Sequence, residues 1–332
     1  MALEARPPGT WVVRPAAPSD RSASDVSQSV SEAAESDQPS FAWSKGLDGV
    51  PALHARGPYF LELFSGTAGL SEAVQLRGVP TLPPVDIVVS PLVPEPVDLI
   101  DMITWSTVLK VLTSGLVFFL HCGTPCNTFT AARKLDGGPP PLRSALRPMG
   151  LPDLSQDNQC LVLLGNIFLS RSAEACFIVF HFGGDFSIEN PLLSLIWVTA
   201  IMEQLVADTR ALALDFDQCA FGALSLKPTR LLCSSELLDD VQMRCPGGHR
   251  HVKLKGKMRD PQTGYWVFRT KAAQVYPWAL CATMAEAIAA LYNEMRWRTS
   301  LRPLRSPHRQ AIASAPLGQA NLGLVIVKRP QP

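Results

Sequence analysis

The chain has 332 residues, 47% of them hydrophobic, and a net charge of +1, which suffices for a buried core in one large or two smaller domains. Its eight cysteines form no paired C-x-x-C framework and no secretion-type apolar segment opens the sequence, so we expect a reduced, intracellular protein rather than a disulfide-stapled one. Apolar runs such as Gly115–Leu120 are shorter than the ~20 residues of a membrane span, so no membrane partner is expected.

Composition and charge divide the chain into segments. Residues 1–55 are rich in Ser, Pro, Ala and Asp without periodicity, which predicts a disordered leader. Residues 56–298 have the pattern of a folded domain, and within it the basic segment 227–271 predicts a small subdomain of short strands. Residues 299–332 predict a basic disordered tail. This basic C-terminal half suits a polyanionic partner, although a solvated surface and a charged tail would explain it equally well.

Short apolar runs alternate with amphipathic stretches from Pro58 onward. The predicted strands are Tyr59–Phe64, Val85–Val89, Leu116–His121, Ala175–Phe180 and Ala211–Asp215. The predicted helices are Gly69–Leu76, Trp105–Thr113, Gln156–Ser172, Pro191–Asp208 and Ala282–Arg296. This alternation predicts an α/β, Rossmann-like, doubly wound and mostly parallel sheet. In such a sheet, ligands bind beyond the carboxyl ends of the strands.

The stretch LELFSGTAGL follows the first predicted strand with a glycine turn and a helix. Gly66 and Gly69 permit a tight turn and close approach of a ligand to the backbone. Asp86 follows about 20 residues later, where a carboxylate can accept hydrogen bonds from ribose hydroxyls, and Asp98 or Asp101 could bind an adenine amino group. The alternative is a strand–helix turn that serves packing alone.

The stretch FFLHCGTPCNTF places a cysteine just beyond a strand. Pro125 stiffens the backbone before Cys126, and a thiol presented among backbone donors can form a nucleophilic thiolate. Cys122 falls in the strand end and is predicted to be structural. The alternative for Cys126 is a buried small apolar side chain.

The stretch DFSIENPLLSLIW ends another apolar run with Glu189 and Asn190. A carboxyl group beside an apolar strand can exchange a proton near neutral pH. The alternative, compatible with the first, is a helix start with Asn190 as the N-cap and Pro191 as the first helical residue.

The stretch RCPGGHRH contains Cys245, His249 and His251, side chains that suit zinc. Cys219 or Cys233 could supply a fourth ligand. The spacing differs from that of a standard zinc finger, so a basic turn with histidines stays the alternative.

Three motifs in this order resemble those of the cytosine-C5 DNA methyltransferase family, in a divergent form like that of phages and mobile elements. They are FSGTAG at 64–69, PCNTFT at 125–130 and ENP at 189–191. The family's counterparts are F-x-G-x-G-G, P-C-Q-x-F-S and E-N-V. The similarity extends over roughly residues 59–291, and the Pro-Cys loop followed by Glu-Asn is its specific part.

The resemblance implies the fold of class I methyltransferases that depend on S-adenosylmethionine, and methylation of carbon 5 of a flipped-out cytosine in DNA. It implies that Cys126, preceded by Pro125, is the nucleophile and that Glu189, beside Asn190, is the acid at ring nitrogen 3. The implied donor-binding residues are Phe64, Ser65, Gly66, Thr67, Gly69, Asp86 and Asp101. The implied nucleic-acid-binding residues are Arg133, Lys134, Arg143, Lys227 and Arg230.

The sequence departs from the family at several points. Ala68 replaces a glycine and Asn127 a glutamine, and the family's Q-x-R-x-R and G-N-S-V segments are not found. Three alternatives therefore stay open: methylation of cytosine in RNA, a degenerate relative that only binds nucleic acid, and a dehydrogenase that binds NAD. We also expect a monomer, in the nucleus if the source is eukaryotic.

Overall fold

The computed structural model describes Trp43 and residues 57–133, 139–259 and 264–300. The chain up to Glu294 forms one compact unit, and of the second unit, Met295–Pro332, only the end of a helix is described. The predicted tail beyond Ser300 and all of the predicted leader except Trp43 therefore lie outside the described residues. Trp43 is buried in the core and its indole N–H donates to the carbonyl of Pro83 (2.9 Å), so the predicted disorder is wrong for this residue.

A central sheet of five strands organises the first unit. The strands are β1 (Tyr59–Leu63), β2 (Val117–Cys122), β3 (Asp185–Pro191), β4 (Leu212–Asp217) and β5 (Pro228–Cys233). Their order is β1-β2-β3-β5-β4, with β1, β2 and β3 mutually parallel and β5 antiparallel to both of its neighbours. Every residue of β1 and β2 is buried, as expected for parallel strands covered on both faces. The predicted α/β, Rossmann-like class is confirmed.

Helices surround this sheet. They are α1 (Gly69–Gln75), α2 (Met102–Thr113), α3 (Gln156–His181), α4 (Ala200–Thr209), α5 (Arg269–Ala272) and α6 (Trp278–Ser300). Helices α2, α3 and α4 pack side by side, α3 also packs on β2 and β3, and α1 packs on β1. Asp101, Ser155 and Thr199 cap the first turns of α2, α3 and α4 with their side chains, which explains where these helices begin.

Helix α3 corrects two predictions. The predicted helix Gln156–Ser172 and strand Ala175–Phe180 form one helix of 26 residues, and the next strand begins only at Asp185. The buried residues Ala173, Cys176 and Val179 recur every third residue, which is the spacing of a helix. The run is so apolar, however, that its composition alone also fits a buried strand. Among the described helices, α3 is long and apolar enough to cross a membrane, a criterion that core helices packed like this one also meet.

Other boundaries also differ from the predictions. The predicted strand Val85–Val89 is reduced to a single parallel bridge between Val85 and β1. The predicted helix Pro191–Asp208 is wrong at its start, because Pro191 ends β3 and α4 begins at Ala200 after a 3-10 turn. In the segment 227–271, β5 belongs to the central sheet, and only β6 (Lys257–Arg259) and β7 (Trp266–Phe268) form a separate hairpin.

Candidate active site

The candidate site lies where three neighbouring parallel strands end. Phe64–Gly69 follows β1, Gly123–Cys126 follows β2, and Glu189 and Asn190 lie at the end of β3. Because parallel strands end at the same edge of a sheet, the glycine turn, the thiol loop and the carboxylate share one edge. The N–H of Gly123 donates to the carbonyl of Leu63 (3.0 Å), which holds the first two segments together.

The glycine turn has an unusual backbone. Phe64, Gly66 and Ala68 all have positive φ, at 56°, 56° and 60°. Left-handed conformations cost a non-glycine residue on the order of 1 kcal/mol or more and cluster at ligand sites. The turn therefore holds two non-glycine residues, Phe64 and Ala68, in the left-handed region.

Asp86 lies against this turn, as its predicted role requires. Its carboxylate accepts hydrogen bonds from the N–H of Gly66 and of Val88, both at 2.7 Å. Burial raises the pKa of Asp86, and these hydrogen bonds oppose the shift. The hydroxyl of Ser65 is buried and has no hydrogen-bond partner within the described part of the chain, so the turn offers a polar atom that a ligand can satisfy.

Asp98 and Asp101 have local partners. Asp101 accepts a hydrogen bond from the N–H of Thr104 (2.7 Å) as the N-cap of α2, and this bond lowers the pKa of its carboxyl group. Asp98 accepts a hydrogen bond from the N–H of Ile100 (2.8 Å). Their predicted contact with adenine stays a prediction, and capping alone accounts for Asp101.

Sequence reasoning missed Glu62, a carboxylate inside β1. It is buried and accepts hydrogen bonds from the N–H (2.9 Å) and the hydroxyl (2.5 Å) of Ser71. Burial raises the pKa of Glu62 to about 7. It therefore ties β1 to the first turn of α1 beneath the glycine turn. The available signal was an acid in the middle of an apolar strand.

The loop that carries Cys126 is anchored from β3. The amide of Asn190 donates to the carbonyl of Thr124 (2.7 Å), and the hydroxyls of Thr124 and Ser172 are hydrogen-bonded (2.7 Å). Asn190 thus fixes the loop before Pro125 rather than capping a helix, which corrects the alternative given above. Asn190 is itself buried at the end of β3, so the sheet holds its side chain in place.

The thiol of Cys126 interacts electrostatically with two charged side chains. The pKa of this thiol is raised to about 11, chiefly by burial and secondly by the negative charge of Glu189, while the positive charge of Lys227 opposes the shift. Cys126 and Glu189 therefore share one electrostatic environment at adjacent strand ends. At neutral pH the resting sulfur carries its proton.

Three side chains hold the buried carboxylate of Glu189. The ammonium of Lys227 lies 3.6 Å from Oε1, the amide of Gln218 lies 3.5 Å from the same oxygen, and the phenol of Tyr276 hydrogen-bonds to the carboxylate. Burial raises the pKa of Tyr276 well above its usual range, so its hydroxyl stays a donor. Sequence reasoning missed Gln218 and Tyr276, and it assigned Lys227 to nucleic-acid binding.

His121 supports Tyr276 from beneath. Its two ring nitrogens lie 2.8 Å from the hydroxyl of Ser187 and 3.2 Å from that of Tyr276. Complete burial lowers the pKa of His121 to about 3, so the ring is neutral. When the neutral ring accepts from the hydroxyl of Ser187 at Nδ1, its Nε2–H donates to the phenol oxygen, which leaves the Tyr276 proton for Glu189.

Most of the basic residues that were predicted to bind nucleic acid are bound by groups of the protein itself. Arg143 is buried, and its five donors are taken by Thr128, Val162, Pro148 and Asn166 while the guanidinium stacks 3.6 Å from the ring centre of Phe129. Its guanidinium therefore has no free donor for the predicted contact with nucleic acid, and burial lowers its pKa to about 10. It instead fastens the Cys126 loop to α3.

Two further cations also have protein partners. Arg230 pairs with both oxygens of Asp215 (2.6 and 2.9 Å). Arg133 donates to the carbonyl of Pro140 (2.9 Å). Lys134 lies outside the described residues. A single sequence cannot show such pairing, because the partners come from other elements.

At Gly123 the backbone of the thiol loop passes close to the glycine turn. A Cβ there would lie 2.7 Å from the carbonyl oxygen of Phe64 and 3.3 Å from the hydroxyl of Tyr276. We expect Gly123→Ala to lower the free energy of unfolding by about 1–3 kcal/mol in denaturant titrations. It should also alter the alkylation rate of Cys126. Gly78→Ala, in open space at a positive φ, is the control: a similar loss of stability there should leave Cys126 alkylation unchanged.

The three residues of the predicted metal motif are brought together. The Sγ of Cys245 lies 3.8 Å from Nε2 of His249 and 3.5 Å from Nε2 of His251. The structure selects Cys219 over Cys233 as the fourth member, since its sulfur joins the cluster while the thiol of Cys233 donates to the carbonyl of Ser235 (3.3 Å).

Comparison with known proteins adds little to this geometry. No protein-family model and no curated protein matches the sequence. Solved structures do match, among them a triple mutant of Spodoptera frugiperda DNMT2, at 16% identity and a TM-score of 0.29 over 53% of this chain and 49% of that chain. The chain thus spans about half the length of that protein.

Proposed function

We propose that this protein transfers the methyl group of S-adenosylmethionine to carbon 5 of cytosine in DNA through a covalent bond between Cys126 and carbon 6. The observation that carries the proposal is the pairing of Cys126 and Glu189 at the ends of β2 and β3, beside a glycine turn at the end of β1. A dehydrogenase site would require neither the thiol nor this carboxylate.

The thiol and the carboxylate supply what cytosine chemistry requires. Carbon 5 is a weak nucleophile, so a thiolate must first add to carbon 6 and push electrons toward ring nitrogen 3. Glu189 protonates nitrogen 3, which neutralises that negative charge and leaves an enamine that is nucleophilic at carbon 5. S-adenosylmethionine, when bound, supplies the methyl group to carbon 5. Loss of the carbon 5 proton to a base then re-forms the double bond between carbons 5 and 6 and expels the Cys126 thiolate, and the proton on nitrogen 3 returns to Glu189.

The electrostatics link these two steps. In the resting site the proton is on sulfur, since burial and, secondly, the Glu189 charge raise the pKa of Cys126. Moving this proton to Glu189 leaves the net charge unchanged. It creates the thiolate and the neutral acid together, and it removes the negative charge that opposed thiolate formation. Lys227 stabilises the thiolate because its charge lowers the thiol pKa.

The glycine turn has groups that fit the donor. Asp86, held by the N–H of Gly66, would accept hydrogen bonds from the ribose hydroxyls, and the buried Ser65 hydroxyl, which has no partner among the described residues, would bind a polar atom of the donor. Phe64, whose ring meets that of Phe168 edge-on at 5.3 Å, would stack on adenine. Thr67 and Gly69 would line the path of the methionine moiety.

The β6–β7 hairpin supports a nucleic-acid substrate. Lys257 lies over the ring of Phe268 and Arg259 over that of Trp266, with both rings largely exposed. Exposed aromatic rings beside cations suit stacking on unpaired bases and contact with phosphates.

The test combines donor binding with methyl transfer. By calorimetry, the purified chain should bind S-adenosylmethionine and not NAD, and labelled methyl groups should appear on carbon 5 of cytosine in duplex DNA. Binding of NAD alone would refute the proposal. Transfer to RNA alone would keep the chemistry and change the substrate, and donor binding without transfer to any nucleic acid would identify a non-catalytic relative.

A further inference from the structure

We propose that Cys219, Cys245, His249 and His251 bind a zinc ion that fastens the chain around 243–252 to the end of the central sheet. The four ligand atoms lie within 4.8 Å of one another. The ligands come from two separate segments, a 3-10 turn after β4 and the turn CPGGHRH. Such closed sets of two thiolates and two imidazoles are typical of structural zinc.

The spacing of the ligand atoms fits a tetrahedron. Zinc–sulfur bonds of about 2.3 Å and zinc–nitrogen bonds of about 2.0–2.1 Å place the sulfur and nitrogen ligands about 3.6 Å apart. The sulfur of Cys245 lies 3.8 and 3.5 Å from the two Nε2 atoms. Little movement is therefore needed to admit the ion. Two thiolates also neutralise its charge, which suits the buried Cys219.

The surroundings orient the ligands as a metal requires. The Nδ1–H of His249 donates to the carbonyl of Gly247 (3.0 Å), so Nε2 carries the lone pair that faces Cys245. The N–H of Gly247 points at the sulfur of Cys245 (3.4 Å), a contact that stabilises a thiolate. Gly247 and Gly248 have φ of 76° and 75°, and these left-handed residues turn the chain from Cys245 to His249.

The cluster adjoins the candidate active site through the backbone. Cys219 directly follows Gln218, whose amide reaches Glu189 and whose N–H donates to the carbonyl of Lys227 (3.3 Å). On the other segment, the N–H of Cys245 donates to the carboxylate of Asp217 (2.9 Å). The ion would therefore hold in place two of the groups that contact Glu189. It would act as a positioning element rather than a catalytic one.

Metal analysis tests the proposal independently of methyl transfer. We expect the full-length chain to purify with about one zinc per molecule by mass spectrometry of the metal. Replacement by Co²⁺ should give the visible spectrum of a tetrahedral site and the charge-transfer band of cobalt–thiolate bonds. Cys245→Ser should lose the metal, whereas Cys160→Ser, at an exposed cysteine on α3, should retain it.

A second measurement tests the metal site in the wild-type chain, in case Cys245→Ser fails to fold. In the wild-type chain, a strong chelator should lower the melting temperature, and added Zn²⁺ should restore it. A chain without metal that takes up neither Zn²⁺ nor Co²⁺ would overturn the proposal. A disulfide between Cys219 and Cys245 in the protein purified under reducing conditions would do the same. Neither outcome would refute the proposed methyl transfer, because neither Cys126 nor Glu189 is a ligand of the metal.

Discussion

Cys126→Ala should abolish both methyl transfer and covalent trapping of the protein on DNA that contains 5-fluorocytosine. Fluorine at carbon 5 cannot leave as a proton does, so the adduct between sulfur and carbon 6 persists in the wild type and is visible on a denaturing gel. Without the thiolate, carbon 5 is not activated. We expect the rate of methyl transfer to fall by roughly 10³-fold or more, because the bond to carbon 6 is proposed to form through the Cys126 thiolate.

Cys160→Ala is the matched control for this experiment. Cys160 is exposed on α3 and Cys122 is buried, so of the two Cys160 can be replaced with less effect on packing. The control should trap and transfer as the wild type does. Donor binding by Cys126→Ala, measured by calorimetry, should also be retained and shows that the variant is folded. A trap that persists in Cys126→Ala would place the nucleophile elsewhere.

Glu189→Gln should have opposite effects on methyl transfer and on the reactivity of the thiol. Transfer should fall by about 10²–10⁴-fold, because the amide cannot give a proton to ring nitrogen 3. The pKa of Cys126, about 11 in the wild type, should fall, because the negative charge of Glu189 raises it. A lower thiol pKa means more thiolate at any pH below the transition. Iodoacetamide should therefore alkylate Cys126 faster in the variant, as followed by mass spectrometry between pH 7 and 10.

Lys227→Met is the counterpart of that variant. The positive charge of Lys227 lowers the thiol pKa, so its removal should raise the pKa and slow alkylation. The two variants thus shift the pH profile of one cysteine in opposite directions. Equal shifts in the same direction would indicate a general loosening of the site and would contradict the electrostatic coupling between position 189 and the thiol.

The zinc proposal gives the segment after β5 a role that does not depend on target recognition. Cys245, His249 and His251 were within reach of sequence reasoning, since cysteine and histidine at short spacing are a recognisable signal. The choice of Cys219 was not, because it depends on how the turn after β4 meets the turn after the 3-10 helix Glu236–Val241. Long-range closure of this kind has no local signature.

The boundary between α3 and β3 shows where pattern reasoning ends. An apolar run of six residues fits a buried strand and a buried helix equally, and only packing against β2, β3 and α4 decides between them. The strand ends were easier to predict, because small or polar residues interrupt the apolar runs. For this reason the turn after β1 and the loop with Cys126 were predicted close to their observed places, whereas the strand that carries Glu189 and Asn190 was not among the predicted strands.

The sequence by itself determined the fold class and the order of the chemical groups along one edge of the sheet. Both depend on local patterns: alternating elements predict a parallel sheet, and parallel strands place their ends together. Only the tertiary structure decided which charges meet. Arg143 is buried and donates to helix α3, and Lys227 pairs with Glu189. Tyr276, from the segment after β7, hydrogen-bonds to the same carboxylate. The physical reason is that burial and pairing are properties of residues far apart in the chain, and these set each group's pKa and role.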